Sequence, residues 1–334
     1  MKVGVLVMDE DLTAGCHVAR AADAAGVHSL WTIDYYNRNS LVRAATFAAV
    51  TESAVVGTSV TPLFARSALA TATAAADVQA VAGGRFALGV GSSTRRMNSD
   101  WYGFDLAHPA PRMSERIGLV RALLEHGGGP FSFEGRWESV SFAHLDHAVK
   151  TLPVPIYAAG VGEGMLDVAG RTADGFVGHP IASAAYLKTV ARPRVIEAAR
   201  RAARAEPPRF LTQVIASVDE DRAVARRRAA AQVGFYATVK GYDPLFPGDP
   251  RHAERDEIRR AFRAGDARAV AAAADGLVDE RAVFGTVTEV AEQLRRYEPV
   301  ADVVQLYSPH FGVSPDEIAA NERSLIEVAA CWNS

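Results

Sequence analysis

Cysteine is nearly missing from this chain, which holds only Cys16 and Cys331. Two cysteines so far apart offer neither a disulfide framework nor the clustered spacing of a metal site. A reducing, cytoplasmic setting is expected. Long apolar runs are missing too. No stretch approaches the roughly 20 residues of a spanning helix, so no membrane partner is expected. The opening Met1-Lys2-Val3-Gly4-Val5-Leu6-Val7 runs into Asp9-Glu10-Asp11, which suits a buried strand better than a secretory leader. Neither charge dominates: 36 Lys and Arg face 39 Asp and Glu, a net charge of -3. That balance argues against a nucleic-acid partner. Arg226-Arg227-Arg228 lies in an Ala-rich helical context and reads as a solvated helix face. His144 and His147 stand beside Asp146 with no second cluster, so no metal centre is expected. A Gly-x-Ser-x-Gly elbow between strand and helix is also absent, which removes that route to a serine nucleophile.

What is present is a rhythm. Apolar residues make up 49% of 334 residues, and short apolar runs alternate with Ala-rich helical ones. The clearest run is Gly83-Gly84-Arg85-Phe86-Ala87-Leu88-Gly89-Val90-Gly91-Ser92-Ser93. An apolar run this short, bounded by glycines, suits a strand buried on both faces. The glycines past it let a flat ligand lie close to the backbone. Strands are expected at 3–7, 28–33, 55–60, 85–90, 154–158, 174–177, 210–218 and 303–307. Thr13 and Asp219 are expected to cap the helices after the first and seventh strands. Pro193 is expected to interrupt a helix over 182–205. Irregular sequence at 92–111 and a hairpin at Glu134-Gly135 make one insertion, about 92–150; 241–280 makes another.

Eight strands with helices between them imply α/β architecture, a (β/α)8 TIM barrel in one domain over 1–334, with insertions after strand 4 and before strand 8. A doubly wound sheet is the alternative. Its case rests on Gly89-Val90-Gly91, half a dinucleotide fingerprint on the wrong strand. A barrel carries its chemistry at the carboxyl ends of its strands. That rule selects Asp34-Tyr35-Tyr36, Ser59-Val60-Thr61-Pro62, 91–98, Ala159-Gly160, Gly178-His179 and Tyr307-Ser308. Asp34 at such an end can equally cap the next helix. Small-residue turns at Ala159-Gly160 and Gly178-His179 open onto helices, whose backbone N–H groups can hold a phosphate. Trp101, Tyr102, Phe104 and Trp137 are candidates to line a substrate pocket.

Three segments resemble the bacterial luciferase-like superfamily, which contains flavin monooxygenases and coenzyme F420 (deazaflavin) dependent oxidoreductases. One is Ser29-Leu30-Trp31-Thr32-Ile33-Asp34-Tyr35-Tyr36. The second runs from Gly57-Thr58-Ser59-Val60-Thr61-Pro62 to Gly83-Gly84-Arg85-Phe86-Ala87-Leu88-Gly89-Val90-Gly91. The third includes Ala158-Ala159-Gly160 and Ala169-Gly170-Arg171-Thr172-Ala173-Asp174-Gly175. The resemblance implies an isoalloxazine-type ring in the barrel mouth, and a homodimer. It implies that Asp34 contacts the cofactor head and that a non-proline cis peptide falls at Ser59-Val60. It also implies that Asn98 contacts the ring, and that Ala159, Gly160, Gly178 and His179 form the phosphate region. Three departures stand out. Tyr35 replaces a histidine of several relatives. Thr94, Arg95 and Arg96 stand where some have a glutamate. The phosphate loop lacks the lysine of others. Tyr35, Thr94 and His179 are therefore the candidates for polarising or protonating a small-molecule substrate.

The resemblance implies F420-dependent hydride transfer to or from a small organic substrate, and Trp31-Thr32-Ile33-Asp34 favours this branch. The alternatives are an FMN-dependent monooxygenase using reduced flavin and oxygen, and a barrel that binds without catalysis.

Overall fold

The computed structural model describes residues 1–143, 152–246 and 252–334, without the side chain of His252. Its strands are β1 Lys2–Leu6, β2 Ser29–Thr32, β3 Val55–Thr58, β4 Thr61–Pro62, β5 Phe86–Gly91 and β6 Phe131–Glu134. They continue as β7 Ser139–Phe142, β8 Ile156–Ala159, β9 Gly175–Gly178, β10 Arg209–Val218, β11 Ala282–Gly285 and β12 Val303–Tyr307. Hydrogen-bonded neighbours run β11-β10-β12-β1-β2-β3-β5-β8-β9, and β9 pairs back onto β10. The pairing is parallel, with Gly4 beside Gln305 and Gln305 beside Gln213. This is the closed eight-stranded ring of a (β/α)8 barrel, formed by β1, β2, β3, β5, β8, β9, β10 and β12. Every residue of β5 and β12 is buried, as their apolar runs require when helices cover one face and barrel interior the other.

β11 has no counterpart in the sequence reading. It pairs with the far end of β10, Ile215 beside Ala282 through Val218 beside Gly285. Four residues directly after the helix Asp275–Arg281 carry too little period to be separated from it. Elsewhere the differences are local. Asp11, not Thr13, caps the first helix, accepting from the Ala14 N–H at 2.7 Å. Asp221, not Asp219, caps Arg222–Ala237. Asp219 instead takes Arg228 at 2.8 Å. Pro193 does not break its helix. A π-helical turn, Leu187–Ala191, precedes it, and wider i→i+5 bonding accommodates a residue with no N–H. The irregular 92–111 stretch contains a six-residue helix, Arg95–Asp100.

The chain falls into two compact units: Met1–Trp31, Val177–Pro193 and Arg209–Ser334; and Thr32–Phe176 with Arg194–Pro208. Trp31, Tyr297, Tyr307 and Phe284 are fully buried in the first, Phe47, Phe86, Phe176 and Met113 in the second. The expected hairpin lies in the second. β6 and β7 pair antiparallel, with Phe131 stacked on Phe142. Its turn is tied to the helix Pro109–Leu124 by one carboxylate: Glu115 accepts from the N–H groups of Arg136, Trp137 and Glu138 at 3.0, 2.8 and 2.7 Å.

Candidate active site

In the second unit, Asp34 follows β2 and is buried. Its Oδ1 lies 3.0 Å from Arg66 Nη2 and its Oδ2 3.2 Å from Arg66 Nη1, a two-point pair. The Ser40 hydroxyl donates to Oδ2 at 2.6 Å and lies 2.7 Å from Thr61 Oγ1. Asp34 is therefore not a helix cap. Asn39 does that work, accepting from the Leu41 and Val42 N–H groups. Arg66 comes from the loop after β4. That loop is held in turn: Arg116 Nη1 donates to the Leu63 and Arg66 carbonyls at 3.2 Å, while its Nε reaches Glu138 Oε1 at 2.7 Å. Hairpin, helix, loop and acid thus form one connected support, which fixes the carboxylate better than a single pair would.

Beside Asp34 is a floor of backbone and small groups. The Ser59-Val60 peptide is cis, at the position the resemblance implies. The Asp34 N–H donates to Val60 O at 3.4 Å and the Ser59 N–H to Thr32 O at 2.7 Å. Glycine is required at one position of the neighbouring β5 and closely approached at a second. A Cβ on Gly89 would come within 1.9 Å of Thr58 O, and one on Gly91 within 2.8 Å of Val60 Cγ2 and 3.8 Å of Ala159 Cβ. Thr58 and Gly89 also exchange hydrogen bonds at 2.8 and 3.0 Å.

The other predicted residues of this unit have defined partners. Tyr35 packs its ring against Tyr36 at 4.8 Å and Trp101 at 5.1 Å. Burial pushes its phenol pKa up, with Tyr36 adding and Arg38 opposing. Tyr102 is shifted up by burial and then by the charge of Asp34, against Arg66; it stands within electrostatic reach of that pair. Thr94 caps Arg95–Asp100 through the Met97 N–H at 3.2 Å. Asn98 is 2% exposed and donates to Ser92 O at 3.0 Å, so its amide braces the loop after β5. Gly160 lies against Met165. Gly162 opens the helix Glu163–Thr172 without a side-chain cap, which leaves first-turn N–H groups for an anion.

In the first unit, Gly178 packs tightly on Thr212 and Leu187. His179 beyond it is half-buried, with Tyr236 at 4.9 Å and Tyr242 at 4.0 Å. Burial pushes its pKa down to about 3. It is a neutral imidazole at ordinary pH, able to hydrogen-bond a phosphate but not to neutralise one. Tyr236 Oη lies 2.7 Å from Tyr307 Oη, which lies 3.0 Å from His310 Nδ1. Arg281 Nη1 donates to the Ile181 and Leu245 carbonyls at 2.8 and 3.2 Å, tying the turn after His179 to the second insertion. Tyr307 was marked by its strand end. Arg66, Ser40, Tyr236, Tyr242 and His310 were not, because they come from loops, helices and the insertion.

His144, Asp146 and His147 lie outside the described residues. Among the described residues no group of three or more His, Cys, Asp or Glu is placed to hold a metal. None of their helices is long and apolar enough to cross a membrane.

Residues 2–301 match the sequence profile of luciferase-like monooxygenases. The chain belongs to this family. The 5,10-methylenetetrahydromethanopterin reductase of Methanolobus tindarius is 28% identical over 280 residues, covering 81% of this chain and 82% of that one. The coenzyme F420 dependent tetrahydromethanopterin reductase of Methanopyrus kandleri superimposes with a TM-score of 0.78 at 22% identity, over 98% of this chain and 96% of that one. The oxygenating constituent of 3,6-diketocamphane monooxygenase from Pseudomonas putida, solved with FMN, gives 0.71 at 17%, over 99% and 98%. The two solved structures share the fold, and all three relatives are oxidoreductases by name.

Proposed function

We propose that this luciferase-like chain is an oxidoreductase that uses coenzyme F420 to move a hydride to or from a small organic substrate. The observation that carries the reading is the buried Asp34, locked by Arg66 and Ser40 at the edge of the floor made by Val60, Gly91 and Ala159. The reductase relatives support the same branch. The residues fit a flat heterocycle: the floor presents backbone and methyl groups, and a side chain on Gly91 would fill it. Asp34, Ser59, Val60 and Asn98 would hold the ring. Ala159 and Gly160, with the uncapped turn at Gly162, would take phosphate; Gly178 and His179 have the same expected role. When bound, the deazaflavin supplies hydride chemistry with little oxygen activation.

The chain's own contribution is placement and proton control. Arg66 and Ser40 keep the Asp34 carboxylate oriented. Asn98 holds the Ser92 carbonyl and with it the loop beside the floor. Tyr35 and Tyr102, whose phenols are kept protonated by burial, are the hydroxyl donors of this unit for polarising a substrate oxygen. The same reading carries a homodimer in the cytoplasm, which sedimentation velocity and fractionation check. The functional test is a titration of the purified protein with F420 and with FMN, followed by absorbance and fluorescence. Saturable F420 binding with no FMN binding supports the reading. FMN binding alone overturns it in favour of a monooxygenase, and binding of neither favours a non-catalytic barrel.

A further inference from the structure

The geometry points to a proton wire in the first unit, running from His310 through Tyr307 to Tyr236 beside His179. Three observations carry it. First, the links are continuous: Tyr236 Oη to Tyr307 Oη is 2.7 Å and Tyr307 Oη to His310 Nδ1 is 3.0 Å. Second, these links join hydroxyls and a ring nitrogen, each able to donate or accept. A backbone carbonyl in such a position would fix the proton's direction; here the direction can invert. Third, burial is graded along the series. Tyr307 is 2% exposed, while Tyr236 and His310 at the two ends are half-buried. The loop is braced for this. Gln232 Oε1 accepts from the His310 and Phe311 N–H groups at 2.9 and 3.0 Å, and Phe235 packs on both rings at 6.1 and 5.1 Å.

The wire rests on the oxidoreductase reading. Hydride delivery to a C=O or C=N bond leaves an oxygen or nitrogen that needs one proton. A substrate atom lying against Tyr236 takes its hydroxyl proton, and Tyr236 takes one from Tyr307. Tyr307 takes one from His310 Nδ1, and His310 regains one from water at Nε2. One proton has moved from water to product: the two tyrosines are restored and His310 has passed from its Nδ1–H to its Nε2–H tautomer, which proton exchange with water resets before the next turnover; oxidation runs the series backwards. Among the described residues, the titratable rings packed against Tyr236 include His179, at the end of β9, and Tyr242, from the 3₁₀ turn Lys240–Leu245.

Ring-labelled tyrosine and histidine report the wire by NMR on the protein alone. As pH is varied, the Tyr236 resonances change together with those of His310 in the wild type. In Tyr307→Phe, which keeps the ring and removes the link, they stop following it. A Tyr236 signal that ignores His310 in the wild type, or still follows it in Tyr307→Phe, overturns the wire. If Tyr307→Phe does not fold, His310→Gln serves: the Tyr236 response vanishes, and a surviving response sinks the proposal. With F420 and a carbonyl substrate, Tyr307→Phe lowers kcat about tenfold or more with KM within about twofold; an unchanged kcat overturns the wire. Failure of F420 to bind defeats the functional reading instead and leaves the resonance coupling to be read as before.

Discussion

Removing Arg66 tests the support of the candidate site most directly. Its guanidinium makes two hydrogen bonds to Asp34, whose side chain is 5% exposed, while its own is 22% exposed. Breaking a fully buried pair costs about 3–5 kcal/mol because a charge is left without a partner. Water can reach the Arg66 side, and Ser40 still donates to Asp34, so Arg66→Ala is expected to cost about 2–3 kcal/mol. Asp34→Asn alone should cost about the same, since the amide turns an N–H group toward the guanidinium. The double variant Asp34→Asn/Arg66→Ala removes both charges. It should cost about 3 kcal/mol rather than the sum of about 5, a coupling near 2 kcal/mol. Urea unfolding followed by circular dichroism and tryptophan fluorescence measures all three. Cofactor binding separates support from contact: the double variant costs less stability than the two singles added, yet loses as much F420 affinity as Asp34→Asn if Asp34 touches the ring. A loss under about 0.5 kcal/mol for Arg66→Ala, in the range of a surface pair, would show that Arg66 does not hold Asp34 in place.

The remaining expectations use other parts of the molecule. Gly89→Ala puts a methyl into the Thr58 backbone, whereas Gly91→Ala meets only the movable Val60 side chain. The first should cost at least about 1–3 kcal/mol more than the second by thermal unfolding. His179 stays neutral in the fold down to about pH 3, whereas the unfolded chain protonates it below 6.5. Its contribution is therefore complete above pH 6.5 and is lost as pH falls. The loss reaches at most about 2 kcal/mol at pH 5, less what residual exposure of the ring returns. His179→Gln should flatten the stability profile between those pH values, and an unchanged slope counts against the shift. Glu115→Ala strips the acceptor from three backbone N–H groups and should cost about 1–3 kcal/mol, with faster proteolysis at the hairpin turn. Burial opposes the ionised Glu115, but the three donors outweigh it and lower its pKa. The stability it lends is therefore held above the ordinary carboxylate range and lost as pH falls below it.

The barrel was legible because its information is local. Short apolar runs such as Val3 to Val7 and Phe86 to Val90, each followed by a helical stretch, specify strand and helix through periodicity alone. Parallel strands joined by helices then admit few arrangements. The glycines from Gly83 to Gly91 marked the floor, and the cis peptide at Ser59-Val60 was implied by the family resemblance of that stretch. The partners of the functional side chains were of another kind. Arg66 meets Asp34 across 32 residues and Tyr236 meets Tyr307 across 71, distances over which no spacing in the chain carries a signal. β11 was hidden for a related reason: four residues become a strand only because the free edge of β10 lies beside them. Which charge ends up buried, and which hydroxyl finds an imidazole, is decided when the elements pack, since only packing excludes the water that would otherwise satisfy those groups equally well.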